Sequence, residues 1–374
     1  MPSDLSGYVC VVTGASRGVG QGIAIGLGKA GATVYITGRT LTTENSKGVE
    51  GGASLRDTAH IINASGGKAI PVAVDHSDDT QVAGLFSRIH KEQHGRLDIF
   101  VNCAFSATDY LLDNKNSNHN SPYWESKLRP NEEWDLINRV GLRNAYICSV
   151  LATRMMIKCR EESLNSTGTN ENACNHSTTD SSSSNSSTTI SSLINKKPLP
   201  TGLIVNISSF GAITRIFNVA FCAGKSSLDR ISQEMAYDLR KHNANICIVS
   251  IIPGLIQTES VVSAYENGNN NSLKLFGYDI SLRMAMPAPI LGDIIACLAQ
   301  QSKNKKLLQR SGRCLYAADL AAEFGIKSCD GCNYTNLRSI KRLLQLIGWK
   351  HLAILFPEFI KIPYWLIAIF TSKF

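Results

Sequence analysis

The stretch Thr13-Gly14-Ala15-Ser16-Arg17-Gly18-Val19-Gly20 joins an apolar, β-branched run, Tyr8–Thr13, to a segment of helical character. Gly14 permits a tight turn after the run, while Gly18 and Gly20 allow a ligand phosphate and the helix backbone to approach closely. The first turn of the helix offers free N–H groups and the positive end of the helix dipole. This stretch therefore predicts a dinucleotide-binding strand–turn–helix unit.

Further apolar runs of strand length alternate with helix-length segments along the chain. Short, continuously apolar strands are typical of parallel sheets, whose two faces are both covered by helices. The pattern predicts an α/β fold, a doubly wound, Rossmann-type parallel sheet of about seven strands, as one domain over residues 1–325. The runs are Tyr8–Thr13, Ala32–Thr37, Ala69–Val74, Leu97–Val101, Leu203–Ile207, Ile246–Ile252 and a weaker one, Arg313–Ala317.

One segment interrupts this alternation. In residues 163–192, 22 of 30 residues are Ser, Thr or Asn, so there is almost nothing for the segment to bury. We predict a helix that ends near Lys158, followed by a disordered insertion over residues 160–198. A smaller insertion, Thr42–Gly52, follows the second strand.

Charge is concentrated at one end of the 374-residue chain. The formal net charge is +8, and residues 301–374 account for all of it with 12 Lys and Arg against 4 Asp and Glu. The first 300 residues are neutral, which excludes a uniformly basic nucleic-acid-binding protein. This concentration of positive charge singles out the C-terminal segment, residues 326–374.

The end of the second strand indicates which dinucleotide binds. An acidic residue there would hydrogen-bond the ribose 2′-OH of NAD, but this chain has Thr37-Gly38-Arg39. Together with Arg17 in the glycine loop, Arg39 favours a 2′-phosphate through bidentate contacts. The sequence thus predicts NADP(H); the alternative is that both arginines are solvated loop residues.

The order of motifs over residues 5–320 resembles the short-chain dehydrogenase/reductase family. That resemblance implies a nicotinamide-dependent oxidoreductase. The matching pieces are T-G-A-S-R-G-V-G (13–20), Asp75, V-N-C-A (101–104), I-S-S (207–209), Lys225 and P-G-L-I-Q-T (253–258).

The resemblance also implies which residues contact the cofactor. The phosphate loop would consist of Gly14, Ser16, Arg17, Gly18, Val19 and Gly20, with Val19 reaching the nicotinamide. Contacts to the adenine, the ribose and the carboxamide would come from Asp75, Asn102, Lys225, Pro253, Gly254 and Thr258.

The proton donor of the implied active site is missing. In the family a Tyr protonates the carbonyl oxygen, a Lys four residues later lowers the pKa of that Tyr, and an upstream Ser hydrogen-bonds the oxygen. Ser209 and Lys225 match this arrangement, but the Tyr position holds Phe221. General acid catalysis contributes about 10²–10⁴-fold, so loss of this hydroxyl should cripple turnover without harming the fold.

Two other positions of the family's proton pathway differ, because the second Asn of N-N-A-G is Cys103 and the relay Asn aligns with Gly141. Cys222 should face away from the substrate, since helix neighbours point about 100° apart. Tyr110 and water are the remaining proton sources.

Two hypotheses about the function stay open. One is an NADPH-dependent carbonyl reductase (EC 1.1.1.-) for apolar ketones or aldehydes, and the other is a catalytically inactive NADP(H)-binding pseudoenzyme at a membrane surface. The intact glycine loop argues against a third, a structural scaffold without cofactor.

The C-terminal segment is both basic and aromatic. Seven of the last 26 residues are aromatic, and Pro357, Glu358, Lys361 and Pro363 exclude a single membrane-spanning helix. Residues 338–374 suit an element that lies in the bilayer interface, with aromatic rings at headgroup depth and basic groups on anionic lipid. The alternative is an arm that packs on the core or across a dimer. The rings expected at headgroup depth are Trp349, Tyr364 and Trp365.

The cellular setting follows from weaker signals. The resemblance implies the cytosolic face of the endoplasmic reticulum; cytoplasm and peroxisome are alternatives, because Ser372–Phe374 only approximates an S-K-L signal. Eleven scattered cysteines favour a reducing compartment, and no signal peptide is apparent. The pair Cys329 and Cys332 lacks further ligands, so no metal site is expected. A homo-oligomer is expected by analogy with the family.

Overall fold

The computed structural model describes residues 4–42, 54–112, 122–168, 199–266, 273–275, 278–280, 285–304, 306–328, 330–334, 336, 338–346, 349–357, 359–363 and 366. The predictions for the insertion Thr42–Gly52 beyond its first residue, and for Cys329, Tyr364, Trp365 and Ser372–Phe374, concern residues outside these ranges.

The strands follow the predicted apolar runs closely. They are β1 (Val9–Thr13), β2 (Thr33–Gly38), β3 (Lys68–Ala73), β4 (Ile99–Asn102), β5 (Gly202–Ile207), β6 (Ile246–Ile252), β7 (Ile256–Gln257), β8 (Leu273–Leu275), β9 (Tyr278–Ile280), β10 (Met286–Pro287) and β11 (Cys314–Tyr316). Seven of them form one parallel sheet in the order β11-β6-β5-β4-β1-β2-β3. The strand order reverses between β1 and β4, which is where a doubly wound sheet opens a crevice for a ligand.

Helices cover both faces of this sheet. They are α1 (Gly18–Lys29), α2 (Leu55–Ala64), α3 (Asp79–Glu92), α4 (Thr108–Leu112), α5 (Pro130–Asn138), α6 (Ala145–Gly168), α7 (Val219–Lys241), α8 (Glu259–Glu266), α9 (Ala288–Gln300), α10 (Ala317–Glu323), α11 (Ile340–Leu346) and α12 (Lys350–Ala353). On β1, Cys10 and Val12 face the layer of α1, α2 and α9, and Val9 and Val11 face that of α3, α6 and α7. Two buried layers on one sheet confirm the predicted fold class.

One predicted boundary is wrong. The helix expected to end near Lys158 continues to Gly168, so the first nine residues of the expected insertion 160–198 are helical. Arg160 explains part of this extension, because its buried guanidinium donates to the carbonyl oxygens of Leu97 and Pro200 and ties the helix to the sheet. Residues 169–198 lie outside the described part of the chain.

The base of the C-terminal segment is tied to the core through Asp319 on α10. Asp319 accepts a hydrogen bond from Arg338 at 2.7 Å and pairs with Lys361. An isolated antiparallel bridge joins Ser339 to Lys361. Farther out, Ile354 and Phe359 are 75 % and 79 % exposed. Within the described residues, no helix is both long enough and apolar enough to cross a membrane.

Candidate active site

A cavity of about 770 Å³ opens at the carboxyl ends of the central strands. It brings together every residue predicted for cofactor binding or catalysis, although these come from β1 to β6 and the segments that follow them. The lining includes Gly14, Ser16, Arg17, Gly18, Val19, Gly20, Arg39, Asp75, Asn102, Ser209, Phe221, Lys225, Pro253, Gly254 and Thr258. The role of each of these residues stays a prediction.

The glycine loop has the backbone that the motif predicts. Gly14 and Gly18 adopt φ values of +69° and +61°, a region that side chains with a Cβ rarely enter. A Cβ on Gly20 would lie 2.2 Å from the carbonyl oxygen of Gly14, so α1 can begin this close to β1 only with glycine. The first residues of α1 line the cavity, and the free amides of a helix N-terminus are the groups that bind phosphates.

Two carboxylates from distant segments occupy this loop, and sequence reasoning did not identify them. The backbone N–H of Gly18 donates to Glu259 Oε2 at 3.0 Å. Arg17 Nη2 donates to Asp109 Oδ2 at 2.8 Å. Both contacts span long stretches of chain, so no local pattern could have revealed them.

Asp75 and Arg39 lie together at the far end of the cavity. Burial would raise the pKa of Asp75, but hydrogen bonds from Ser77 and the charge of Arg39 outweigh it and lower that pKa. Asp75 is therefore an ionised acceptor at neutral pH. The exposed guanidinium of Arg39 stands at the edge of the cavity, open to an anion.

His76 lies between the end of β2 and the π-helical turn that precedes α6. Its Nε2 lies 2.7 Å from Thr37 Oγ1 at the end of β2, and its Nδ1 lies 3.3 Å from Asn144 Oδ1. Burial lowers the pKa of His76 to about 4, so the ring is neutral at pH 7. Arg139–Asn144 is a π-helical turn between α5 and α6.

Asn102 has a structural role in addition to lining the cavity. Its Nδ2 donates to Asn206 Oδ1 at 2.8 Å and to Ser149 Oγ at 3.0 Å, joining β4, β5 and α6. Its Oδ1 is buried without a hydrogen-bond partner in the described structure. An unpaired buried acceptor is costly, so this oxygen marks a place where a ligand donor would be favourable.

At the other end of the cavity, α7 presents Phe221 and Lys225 on one face. Asn218 is the N-cap of this helix, and its side chain accepts a hydrogen bond from the N–H of Phe221 at 2.9 Å. Lys225 Nζ donates to the carbonyl oxygen of Ile207 at 2.9 Å, and burial lowers the pKa of the ammonium. Ser209 Oγ accepts from the N–H of Gly211 at 3.2 Å, which leaves the hydroxyl proton available to a ligand.

Phe221 is one of three phenylalanine rings that pack together in the lining of the cavity. Phe221 makes edge-to-face contacts with Phe105 and Phe217, at centroid distances of 5.9 and 5.1 Å. Lys225 Nζ lies 5.2 Å from the centroid of Phe105. A Cβ on Gly141 would meet the Phe105 ring at 2.8 Å, so Phe105 fills the space that a relay Asn would need. Sequence reasoning found Gly141 but missed Phe105, two residues after Cys103.

The two substitute proton donors considered from the sequence do not line the cavity. The Tyr110 hydroxyl instead donates to Glu133 Oε1 at 2.9 Å. Cys222 Sγ lies 3.1 Å from the carbonyl oxygen of Ile216, facing away from the cavity as expected. Cys103 does line it, but burial raises the pKa of its thiol to about 12.

Comparison with known proteins identifies the family. The family model described as short chain dehydrogenase matches residues 8–163 and 185–269, well over half of the chain. The protein belongs to the short-chain dehydrogenase/reductase family of oxidoreductases, as the motifs predicted.

Individual relatives extend this result over the whole chain. The human protein dehydrogenase/reductase SDR family member 1 is 35 % identical over 380 residues, covering all of both chains. The crystal structure of a metagenomic short-chain oxidoreductase in complex with NADP has a TM-score of 0.50 at 25 % identity, covering 79 % of this chain and 92 % of that one.

A third comparison shows the fold alone. The 3-oxoacyl-[acyl-carrier protein] reductase from Brucella melitensis, in complex with NAD, has a TM-score of 0.53 at 19 % identity, covering 83 % of this chain and 95 % of that one. One neighbour of the same fold thus holds NADP and another holds NAD. Both dinucleotides occur on this scaffold, so the choice between them depends on the side chains.

Proposed function

We propose that this protein is an NADP(H)-dependent oxidoreductase that reduces the carbonyl group of apolar ketones or aldehydes, with slow turnover. One observation carries the proposal: a single cavity holds an anion-binding glycine loop at one end and Ser209 with Lys225 at the other. Apolar side chains, among them Leu111, Ile216 and Phe217, also line this cavity. Such walls suit a substrate with little charge.

The cavity residues fit a dinucleotide. The Gly14–Gly20 loop would hold the pyrophosphate, Arg17 and Arg39 the 2′-phosphate, and Lys225 the ribose hydroxyls. Asn102 lines the same cavity, and its buried Oδ1 has no hydrogen-bond partner in the described structure. When bound, the reduced nicotinamide supplies a hydride. Two guanidinium groups near one end support NADP(H) over NAD(H), because each can make bidentate contacts with a phosphate.

The chain's own groups can carry out only part of a carbonyl reduction. The Ser209 hydroxyl can donate a hydrogen bond to the substrate oxygen and stabilise the negative charge that develops there. Phe221 has no proton to give, and Tyr110 and Cys222 point elsewhere. The proton on the product alcohol therefore comes from water, which accounts for the slow turnover in this proposal.

A second candidate function is NADP(H) binding without turnover. It is favoured by the cluster of Phe105, Phe217 and Phe221, which places apolar rings where the family has a proton donor and room for its relay. Under this hypothesis the cofactor end of the cavity works and the carbonyl end does not.

Binding and turnover measurements on the purified full chain separate the two candidates. Both expect NADPH to raise the melting temperature, because a ligand that binds only the folded state stabilises it. Slow oxidation of NADPH with any member of a panel of apolar ketones and aldehydes supports the reductase. Binding without oxidation across the panel supports the second candidate, and absence of binding contradicts both.

We also propose that residues 338–374 attach the protein to a membrane surface, at the cytosolic face of the endoplasmic reticulum. Trp349, Ile354, Leu355 and Phe359 are exposed apolar side chains within a segment that carries much of the net positive charge of the chain. Apolar side chains next to basic groups suit a bilayer interface with anionic lipid. The contacts of Asp319 with Arg338 and Lys361 would hold these two residues on the core while the exposed apolar side chains contact the membrane.

Vesicle flotation tests this attachment. The double variant I354S/F359S should lose binding to vesicles that contain anionic phospholipid, while W124S, which removes an equally exposed ring elsewhere, should keep it. Equal binding of all three proteins would contradict the proposal. Formation of a homo-oligomer, which sedimentation would reveal, stays an expectation from the family.

A further inference from the structure

The carboxylates of Asp109 and Glu259 occupy groups that the glycine loop offers to phosphates. Glu259 is the first residue of α8 and accepts the N–H of Gly18 at 3.0 Å. Asp109 lies on α4 and pairs with Arg17 at 2.8 Å. The two residues are far apart in the sequence, but α4 and α8 lie close together above the glycine loop. Their contacts involve different groups of that loop, the side chain of Arg17 and the amide of Gly18.

These contacts conflict with a bound dinucleotide. The amide of Gly18 lies in the loop that would receive the pyrophosphate, and Arg17 is one of the two guanidinium groups available to a 2′-phosphate. A carboxylate next to a phosphate raises the electrostatic energy of the bound state, because like charges at short distance repel. Either the carboxylates withdraw when the cofactor binds, or the cofactor binds against their charge; both reduce affinity.

We propose that Asp109 and Glu259 are internal competitors of the cofactor's phosphates and set both its affinity and its selectivity. Glu259 opposes the pyrophosphate, which NADPH and NADH share. Asp109 withholds Arg17, which matters only for the 2′-phosphate of NADPH. This inference rests on the proposed function, since it requires the cavity to bind a nicotinamide dinucleotide.

The surroundings of both carboxylates make them suitable for substitution. The Asp109 side chain is 68 % exposed and that of Arg17 is 29 % exposed, so their ion pair contributes little to folding. Glu259 is also exposed. Asn and Gln retain the shape and one acceptor oxygen of each side chain, remove the negative charge and replace the other oxygen by an NH2 donor.

The experiment measures dissociation constants of NADPH and NADH for the full chain and for D109N and E259Q. We expect D109N to tighten NADPH binding about two- to fivefold and to leave NADH unchanged, since only one phosphate is affected. E259Q should tighten both dinucleotides by a similar factor. Melting temperatures without cofactor should stay close to that of the unmodified protein.

Two control variants remove exposed carboxylates outside the cavity: D238N on α7 and E161Q on α6. Both should bind NADPH and NADH like the unmodified chain, which excludes a general effect of net charge. If the unmodified chain binds NADPH and D109N and E259Q bind it no more tightly, the inference is wrong and the proposed function stands. If none of the proteins binds either dinucleotide, the proposed function fails and the inference with it.

Discussion

The two ends of the cavity differ in how far they keep the pattern of the family. At the cofactor end, the glycine turns, Asp75, Arg17 and Arg39 are all present. At the carbonyl end, Ser209 and Lys225 are present, but Phe221 stands where the family has its Tyr.

This difference indicates that binding and proton transfer can be lost separately. Phe221 fills nearly the volume of a Tyr, so its ring packs against Phe105 and Phe217 without opening a cavity. Phe in place of Tyr therefore costs the fold almost no stability and removes the hydroxyl proton that a Tyr would donate. Loss of a glycine in the phosphate loop would instead disturb the backbone itself.

The largest expected effect comes from restoring the hydroxyl. F221Y should raise the rate of NADPH-dependent carbonyl reduction by about 10²–10⁴-fold, the usual contribution of a general acid. The NADPH dissociation constant should hardly change, so the gain appears in turnover. F217Y adds the same hydroxyl to a neighbouring ring and serves as the control. Turnover of the unmodified chain equal to that of F221Y would mean that another group already supplies the proton.

The next effect concerns His76, which lies between Thr37 on β2 and Asn144 before α6. Its folded pKa of about 4 lies below the ordinary 6.5, so the neutral ring stabilises the fold above pH 6.5. Below that pH the unfolded chain takes up the proton first. Stability should therefore fall by about 3 kcal/mol between pH 6.5 and pH 4.

Denaturant unfolding of the unmodified chain and of H76Q across this range measures the contribution. H76Q should show a shallower loss of stability, while H60Q, which changes an exposed His on α2, should follow the unmodified chain. An identical pH dependence for all three proteins would contradict the assignment to His76.

A smaller effect is expected at the glycine loop. The added methyl of G20A would lie 2.2 Å from the backbone oxygen of Gly14 and must displace the loop. We expect NADPH affinity to fall about ten- to hundredfold, since forced shifts of this kind cost about 1–3 kcal/mol. The matched control is G84A, because nothing lies within 4 Å of that site on α3. It should keep the affinity and gain up to about 1 kcal/mol of stability. Unchanged binding by G20A would show that the cofactor does not need this close contact.

The smallest effect tests whether Phe105 blocks the relay position. G141N should destabilise the fold by about 1 kcal/mol, because its Cβ would meet the Phe105 ring at 2.8 Å. The double variant F105A/G141N should show less than the summed cost of the two single changes, a coupling that a double-mutant cycle measures. Additive costs would mean that the two sites do not share this space.

Much of the fold followed from local sequence. Strand β6 coincides with its predicted run, Ile246–Ile252, because a continuously apolar segment must be buried on both sides. The weak seventh run became β11, a partly buried strand at the edge of the sheet. The end of α6 could not be predicted in this way. Its polar sequence after Lys158 has no helical signal, and the anchoring of Arg160 to the sheet depends on tertiary contacts.

The candidate site divides in the same way. The glycine loop, Arg39, Ser209, Phe221 and Lys225 could be found from sequence because each belongs to a short motif at the end of a strand or on one helix. The Asp109 and Glu259 contacts could not, since they join positions 92 and 241 residues apart. Side chains at such separations meet only when the loops above the sheet have taken their places.

The sequence by itself therefore determined the parallel sheet, the anion-binding turn and the absence of a hydroxyl at Phe221. These depend on residue type and on neighbours within a few positions. Tertiary structure alone decided that Phe105 fills the space beside Gly141, that His76 is buried and neutral, and that carboxylates sit on the phosphate loop. Packing, burial and charge pairing are properties of residues that the fold brings together, and no local pattern encodes them.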